Sequence, residues 1–240
     1  MGNAVQFGSP ETDELDSRVP LFANMQFSGI CLDFEEQARR DGFLVVAGLD
    51  EVGRGCLAGD VVAAACVLDL SKPLPKGLDD SKKLTSATRE EIAEELRAVA
   101  IAYSIGRVCA EEIDRINILE ATKKAMCSAL ALLTPNADFL LIDALILKQI
   151  SLPQKSIIKG DSISASIAAA SILAKTFRDA LMRECDKQYP QYGFAGNKGY
   201  GAASHLAALR QHGPCPLHRK TFRGVMPESS SEVQTSLIVA

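Results

Sequence analysis

Short apolar runs alternate with helically spaced stripes along this chain, and together they predict most of its elements. Phe43 to Ala47 is apolar without alternation and contains two valines, the pattern of a strand buried on both faces. Val61 to Leu68, Ile101 to Val108 and Phe139 to Ile142 read as further strands, and Ser156 to Lys159 as a short last one. Phe34 to Arg40 predicts a short helix leading into the first strand. Thr85 is placed to cap a helix whose apolar face is Ile92, Leu96 and Val99. Within Asn117 to Leu133, the residues Leu119, Met126, Leu130 and Leu133 form one stripe, which Thr134 to Ala137 ends. From Ile163 the series Ile163, Ile167, Ala170, Ala174, Phe177, Leu181 advances by four and three residues in turn, a long helix that stops before Pro190. Its alanines would let it lie close on a sheet. A final helix is expected near Ala202 to Gln211. Strands and helices that alternate in this way predict an α/β fold around one sheet of mixed strand direction.

The first strand runs into two adjacent carboxylates, Asp50 and Glu51, and then into Gly53, Arg54 and Gly55. Neighbouring side chains on a regular strand point to opposite faces, so the two acids are expected to share a site only if the strand ends there. The glycines permit such a break and a close approach of backbone to a ligand. The Phe139–Ile142 run also ends in a carboxylate, Asp143, and Asp161 stands just before the long helix, where it or Ser162 could instead be the helix cap. Two buried strands that each deliver a carboxylate to one sheet edge are tolerable when a cation neutralises them, because like charges held together otherwise repel or protonate. Oxygen donors alone, with no Cys or His beside them, select Mg²⁺ or Mn²⁺ over zinc. Such a cluster can hold two ions roughly 3.5–4 Å apart, the arrangement for in-line displacement at phosphorus.

Charge modifies this picture locally. The formal net charge is −4, mildly against a polyanionic partner. From Lys187 to Arg223, however, there are six basic residues (Lys187, Lys198, Arg210, Arg219, Lys220, Arg223), all three histidines and no Asp or Glu, and a local basic stretch matters more to a polyanion than the global sum. Seven scattered cysteines with no C-x-x-C pair favour reduced thiols in a reducing compartment. The acidic N-terminus is unlike a secretory or transit peptide, and no apolar stretch approaches the length that spans a bilayer. A cytoplasmic protein without a membrane partner is expected.

Five blocks in order, GLDEVGRG (48–55) with LAG (57–59), DSKKL (80–84), KGDSISASIAAASILAK (159–175) and YGFAGNKGYG (192–201), resemble the signature of the ribonuclease HII family. The resemblance covers about Phe34 to Arg223. It implies a ribonuclease H-like mixed β-sheet flanked by helices, with a C-terminal helical extension. It also implies a metal-dependent endonuclease that hydrolyses the RNA strand of RNA/DNA hybrids and cuts at single ribonucleotides in duplex DNA, leaving 3′-hydroxyl and 5′-phosphate ends. Carried over by position, the family's metal-binding and catalytic acids fall on Asp50, Glu51, Asp143 and Asp161. The turn that contacts the ribonucleotide–deoxyribonucleotide junction falls on Gly53, Arg54 and Gly55, and the junction-sensing tyrosine on Tyr200. Lys82, Lys83 and the basic C-terminal stretch would then bind phosphates, with affinity that falls as salt rises.

Departures from the family pattern are Ala144 where Gly is usual, Cys56 and Asp60 where Pro is usual, and Ala202 where Thr is usual. Asp60 adds a negative charge near the turn, which is expected to weaken substrate binding. The expected organisation is a mobile extension (1–30), a ribonuclease H-like core (31–186), a basic helical substrate-binding part (187–226) and a flexible Ser-rich tail (227–240), acting as a monomer. Gln234 to Ile238, QTSLI, resembles the short peptide by which bacterial replication proteins dock on the sliding clamp.

Overall fold

The computed structural model describes residues 29–226. The expected tail, the clamp-like Gln234 to Ile238 and all but the last two residues of the expected extension therefore lie outside the described residues. Five strands form one sheet in the order β3-β2-β1-β4-β5. They are β1 (Val46–Val52), β2 (Val61–Val67), β3 (Ala102–Val108), β4 (Phe139–Asp143) and β5 (Gln154–Ile157). The first three pair antiparallel, whereas β4 runs parallel to both β1 and β5. This is the mixed sheet flanked by helices that the sequence predicts.

Period-two alternation sorts the strand residues onto two helical layers. Ala63 and Ala65 of β2, with Ala47 and Leu49 of β1, pack on α4 (Ile118–Leu132) through Ala121, Ala125, Met126 and Ala129. Val62, Ala64 and Cys66 face the other way, onto α2 (Ser86–Val99) and α5 (Ala165–Gln188). Close contact needs small residues on both sides. A Cβ at Gly48 would stand 2.1 Å from the Ser166 carbonyl carbon, and one at Gly106 would stand 2.0 Å from the Ala125 oxygen. The alanine-rich helices thus lie directly on sheet glycines.

Several sequence expectations are corrected. The first strand begins at Val46 and continues through both acids to Val52. Leu44 is 72% exposed rather than buried, and the Leu44 and Val45 amides donate to the Asp138 carboxylate instead of to a neighbouring strand. The last strand is Gln154–Ile157, two residues earlier than its apolar signal. The long helix begins at Ala165 with Ser164 as its cap, so neither Asp161 nor Ser162 caps it. Asp161 lies in a 3-10 turn, Gly160–Ser162, ahead of it. Phe177 and Leu119, placed on buried stripes by spacing, are partly exposed. On α5 the buried stripe passes instead through Ala170, Ala174, Arg178 and Met182. A short helix, α3 (Ala110–Ile116), went unpredicted because seven residues give too little periodicity to read.

Beyond α5 the chain folds back as α6 (Phe194–Asn197) and α7 (Ala203–His212). Phe194, Ala208 and Leu209 of these helices, with Tyr192 from the preceding 3-10 turn, pack against Ala58 and Met182. Among the described residues no helix is long and apolar enough to cross a membrane.

Candidate active site

Three of the candidate acids stand where β1 outruns β4. The last β1–β4 pair is Leu49 with Ile142, so Asp50, Glu51 and Asp143 all lie just past it. Strand alternation sends Asp50 to the α5 face, where Ser171 hydrogen-bonds it, and Glu51 to the opposite face. The strand does not end at the two acids as expected, but runs on to Val52. Its β4 neighbour pairs with it only as far as Leu49, so both acids lie at an unpaired edge.

Each carboxylate has a different local partner. The Asp50 side chain is 5% exposed, and its Oδ1 accepts from the Glu51 amide at 2.7 Å. Arg54 Nη1 lies 3.1 Å from Glu51 Oε1, while Glu51 Oε2 is buried with no hydrogen-bond partner. The Gly160 amide donates to Asp143 Oδ1 at 2.8 Å. Lys82 Nζ is 2.5 Å from Asp161 Oδ2.

Electrostatics link all four acids. Burial, then the Glu51 charge, push Asp50 well above the usual carboxylate range, Asp143 adds to the rise, and Ser171 opposes it. Burial raises Glu51 against the lowering pull of Arg54, and Asp143 raises it further. Burial and the Asp161 charge raise Asp143, against the Gly160 amide. Burial alone would lower the Lys82 ammonium, but its hydrogen bond to Asp161 prevails and raises it. Among the described residues no three His, Cys, Asp or Glu side chains are already drawn together as a metal cage.

The glycine turn and the tyrosine loop form one body beside the acids. The Leu57 amide donates to the Gly199 carbonyl at 2.8 Å, and a Cβ at Gly199, whose φ is +81°, would meet the Ala58 oxygen at 2.4 Å. The Tyr200 ring is 43% exposed, and its hydroxyl hydrogen-bonds the buried Cys56 sulfur. Lys82 stands among the acids. Lys83 does not, and pairs with Asp79 at 3.0 Å on the surface.

A ribonuclease HII family model matches residues 47–225. The ribonuclease HII of Geobacter metallireducens is 52% identical over 208 residues, which is 87% of this chain and 97% of that protein. The chain belongs to the ribonuclease HII family. It is accordingly a ribonuclease H-type endonuclease, a hydrolase of a family that works with a divalent metal. Among solved structures it resembles the ribonuclease H2 of Pyrococcus horikoshii, with TM-score 0.63, 26% identity, and coverage of 76% of this chain and 95% of that one. The ribonuclease HII of Archaeoglobus fulgidus, solved in complex with PCNA, follows with TM-score 0.60, 28% identity, and coverage of 70% and 88%.

In this ribonuclease HII chain two buried arginines build the turn, Arg178, which sequence reasoning missed, and Arg219, which it read as a phosphate contact. Arg178, fully buried, donates to the carbonyls of Asp60 (2.9 Å), Lys198 (2.8 Å) and Ala58 (3.1 Å). Arg219 donates to Arg54 (2.9 Å) and twice to Gly59 (3.0 and 2.8 Å). Burial lowers the Arg219 guanidinium to about 10, still charged at neutral pH. The expectation that Arg219 binds phosphate is therefore corrected: its fork is enclosed and holds backbone. Lys187, from the same stretch, pairs with Glu184. The only available signal for Arg178 was a cation on an otherwise small and apolar helical stripe. Of the departures, Ala144 takes φ +49°, a left-handed conformation that favours the usual glycine. The Asp60 carboxylate lies 3.8 Å from Arg107 Nη1, which offsets its charge.

Proposed function

We propose that this chain hydrolyses the RNA strand of RNA/DNA hybrids and cuts at single ribonucleotides in duplex DNA, with Asp50, Glu51, Asp143 and Asp161 holding Mg²⁺ or Mn²⁺. One observation supports the reading: Asp50, Glu51 and Asp143 stand just past the last β1–β4 pair, each raised by burial and by a neighbouring carboxylate's charge, with Glu51 Oε2 buried and without a partner. The donor set fits the ions, because it is all oxygen and its mutual repulsion is what a divalent cation would relieve. Such ions, when bound, would acidify an attacking water and stabilise the leaving oxygen, giving 3′-hydroxyl and 5′-phosphate ends.

The remaining roles fall to the chain's own groups. Among the described residues the amides of Arg54 and Gly55 take no hydrogen-bond partner, and both residues are exposed, so they suit a 2′-hydroxyl at the junction. The exposed Tyr200 ring would pack on the neighbouring sugar. Lys82, drawn to Asp161, would move to a phosphate when metal enters, and Lys83 would add a weaker phosphate contact at the surface. Residues 187–226 act in this reading as the substrate-binding part on a core of 31–186. The A. fulgidus relative was solved in complex with PCNA, and in this reading Gln234 to Ile238 would dock this chain on a sliding clamp.

The test is a DNA duplex with one embedded ribonucleotide, assayed with Mg²⁺, with Mn²⁺ and with a chelator. Cleavage at the ribonucleotide that disappears with chelation is expected. Cutting of an all-DNA duplex at the same rate, or cleavage indifferent to chelator, would overturn the reading.

A further inference from the structure

Behind Tyr200 runs a hydrogen-bonded chain that the chemistry above does not use. His205, on α7, and His218 are both buried, at 0% and 1% exposure. The Cys215 amide donates to His218 Nδ1 at 3.0 Å, so the neutral His218 ring carries its proton on Nε2. That nitrogen stands 3.0 Å from His205 Nε2, which must accept. The His205 proton is therefore on Nδ1, where it donates to the Tyr200 carbonyl at 2.8 Å. One pair of tautomers satisfies all three contacts, and no other does. Tyr192 and Phe194 pack on the two rings and exclude water from them.

The consequence for Tyr200 is geometric. Its carbonyl accepts from His205 and from the Ala202 amide, both at 2.8 Å, its own amide donates to the Asn197 carbonyl at 3.0 Å, and its hydroxyl reaches the Cys56 sulfur, while the residue stays 43% exposed. Next to His218, Arg219 grips the carbonyls of Arg54 and Gly59. The short segment from Cys215 to Arg219 thus reaches the glycine turn through one side chain and Tyr200 through another.

We propose that His205 and His218 form a positioning relay that fixes the Tyr200 backbone relative to the glycine turn, and so sets how strictly a ribonucleotide junction is recognised. The inference rests on the junction-reading role of Tyr200 proposed above. Neither histidine touches substrate. Each acts through the Tyr200 carbonyl.

The relay is tested first in the wild-type chain, by ¹⁵N NMR of histidine-labelled protein at neutral pH. With the exposed His212 assigned separately, an Nδ1–H ring is expected at His205 and an Nε2–H ring at His218. Nε2–H at both buried positions, or a charge on either of those two rings, would overturn the proposal without any variant. Cleavage of the single-ribonucleotide duplex is then compared with that of a uniform RNA/DNA hybrid for Tyr200→Ala, His205→Ala and His205→Asn, alongside calorimetric Mn²⁺ binding without nucleic acid. His205→Ala should lose roughly tenfold in preference for the junction, the effect of one lost buried hydrogen bond, while Mn²⁺ binding is unchanged. His205→Asn keeps an N–H donor and should recover part of the loss. Tyr200→Ala impaired with His205→Ala at wild-type preference overturns the relay alone. Tyr200→Ala at wild-type preference overturns the junction-reading role and the relay with it. If His205→Ala does not fold, the tautomers and His205→Asn decide.

Discussion

Asp50 bears the largest electrostatic load of any residue at the site. Its folded-state pKa lies above the unfolded value because burial and the charges of Glu51 and Asp143 disfavour ionisation. Stability is therefore full below the unfolded value and is lost as pH rises from there through the raised folded one, and neutralising the group returns it. Asp50→Asn should abolish cleavage yet raise the unfolding free energy in chelator at pH 7, on the order of 1 kcal/mol. It should also remove much of the melting-temperature gain that Mn²⁺ gives the wild type. Urea unfolding and thermal melts check both, and a destabilised variant would show that Asp50 is structural. Arg178 poses the opposite case, a buried cation with only carbonyl partners. A lysine ammonium at that position cannot bond three carbonyls in the guanidinium's fixed fork. Arg178→Lys should therefore lose about 2–4 kcal/mol of stability and loosen the turn at Gly53, whose Cβ position lies 2.3 Å from Arg178 Nε.

At the scale of elements, the site depends on how closely α5 lies on β1. Gly48 makes this possible, and Ser171 farther along the helix is thereby brought to Asp50. A methyl group at Gly48 would overlap helix backbone, which cannot rotate away as a side chain could. Gly48→Ala should cost more than about 3 kcal/mol or prevent folding, as overpacking against backbone does, and circular dichroism with urea titration measures it. Should the protein tolerate this change at full activity, the close approach would be dispensable. The same scale explains where element reading slipped. Spacing found the long helix, but its start was set by Ser164 accepting from the Ile167 amide. Apolar content placed the first strand too early, because Phe43, Leu44 and Val45 precede the paired region.

For the whole molecule, the C-terminal segment joins parts that are distant in sequence. Its buried histidines make this connection sensitive to acid. Burial lowers His205, and burial with the neighbouring His205 lowers His218 to about 4. The sign follows from linkage: the unfolded chain takes up these protons near pH 6.5 and the folded chain does not. Their contribution to stability is full above about pH 6.5 and is lost as pH falls toward 4. Tyr192 and Cys215, which face the pair, have raised pKa values and stay neutral throughout this range. The stability difference between wild type and His218→Asn should therefore shrink by on the order of 2 kcal/mol between pH 7 and pH 4. Urea unfolding at a series of pH values reads this directly, and a constant difference would mean that the pair does not titrate as a buried unit.

Much of this protein was legible in one dimension. Apolar runs, helical spacing and turn glycines are local properties, so the alternating α/β order and the Thr85 cap could be read directly. The candidate acids and the glycine turn were visible as motifs, because residue types at short spacing do not depend on how the chain folds. Relations across more than a hundred residues were not visible. That Asp50 and Glu51 lie past the last β1–β4 pair depends on β4 ending before β1 does. That Arg178 and Arg219 hold backbone, and that His205 meets His218, depends on burial, which spacing cannot report for charged or polar residues. Local sequence determined which elements and which chemistry were present. Tertiary packing decided which polar groups lost water and therefore had to find one another.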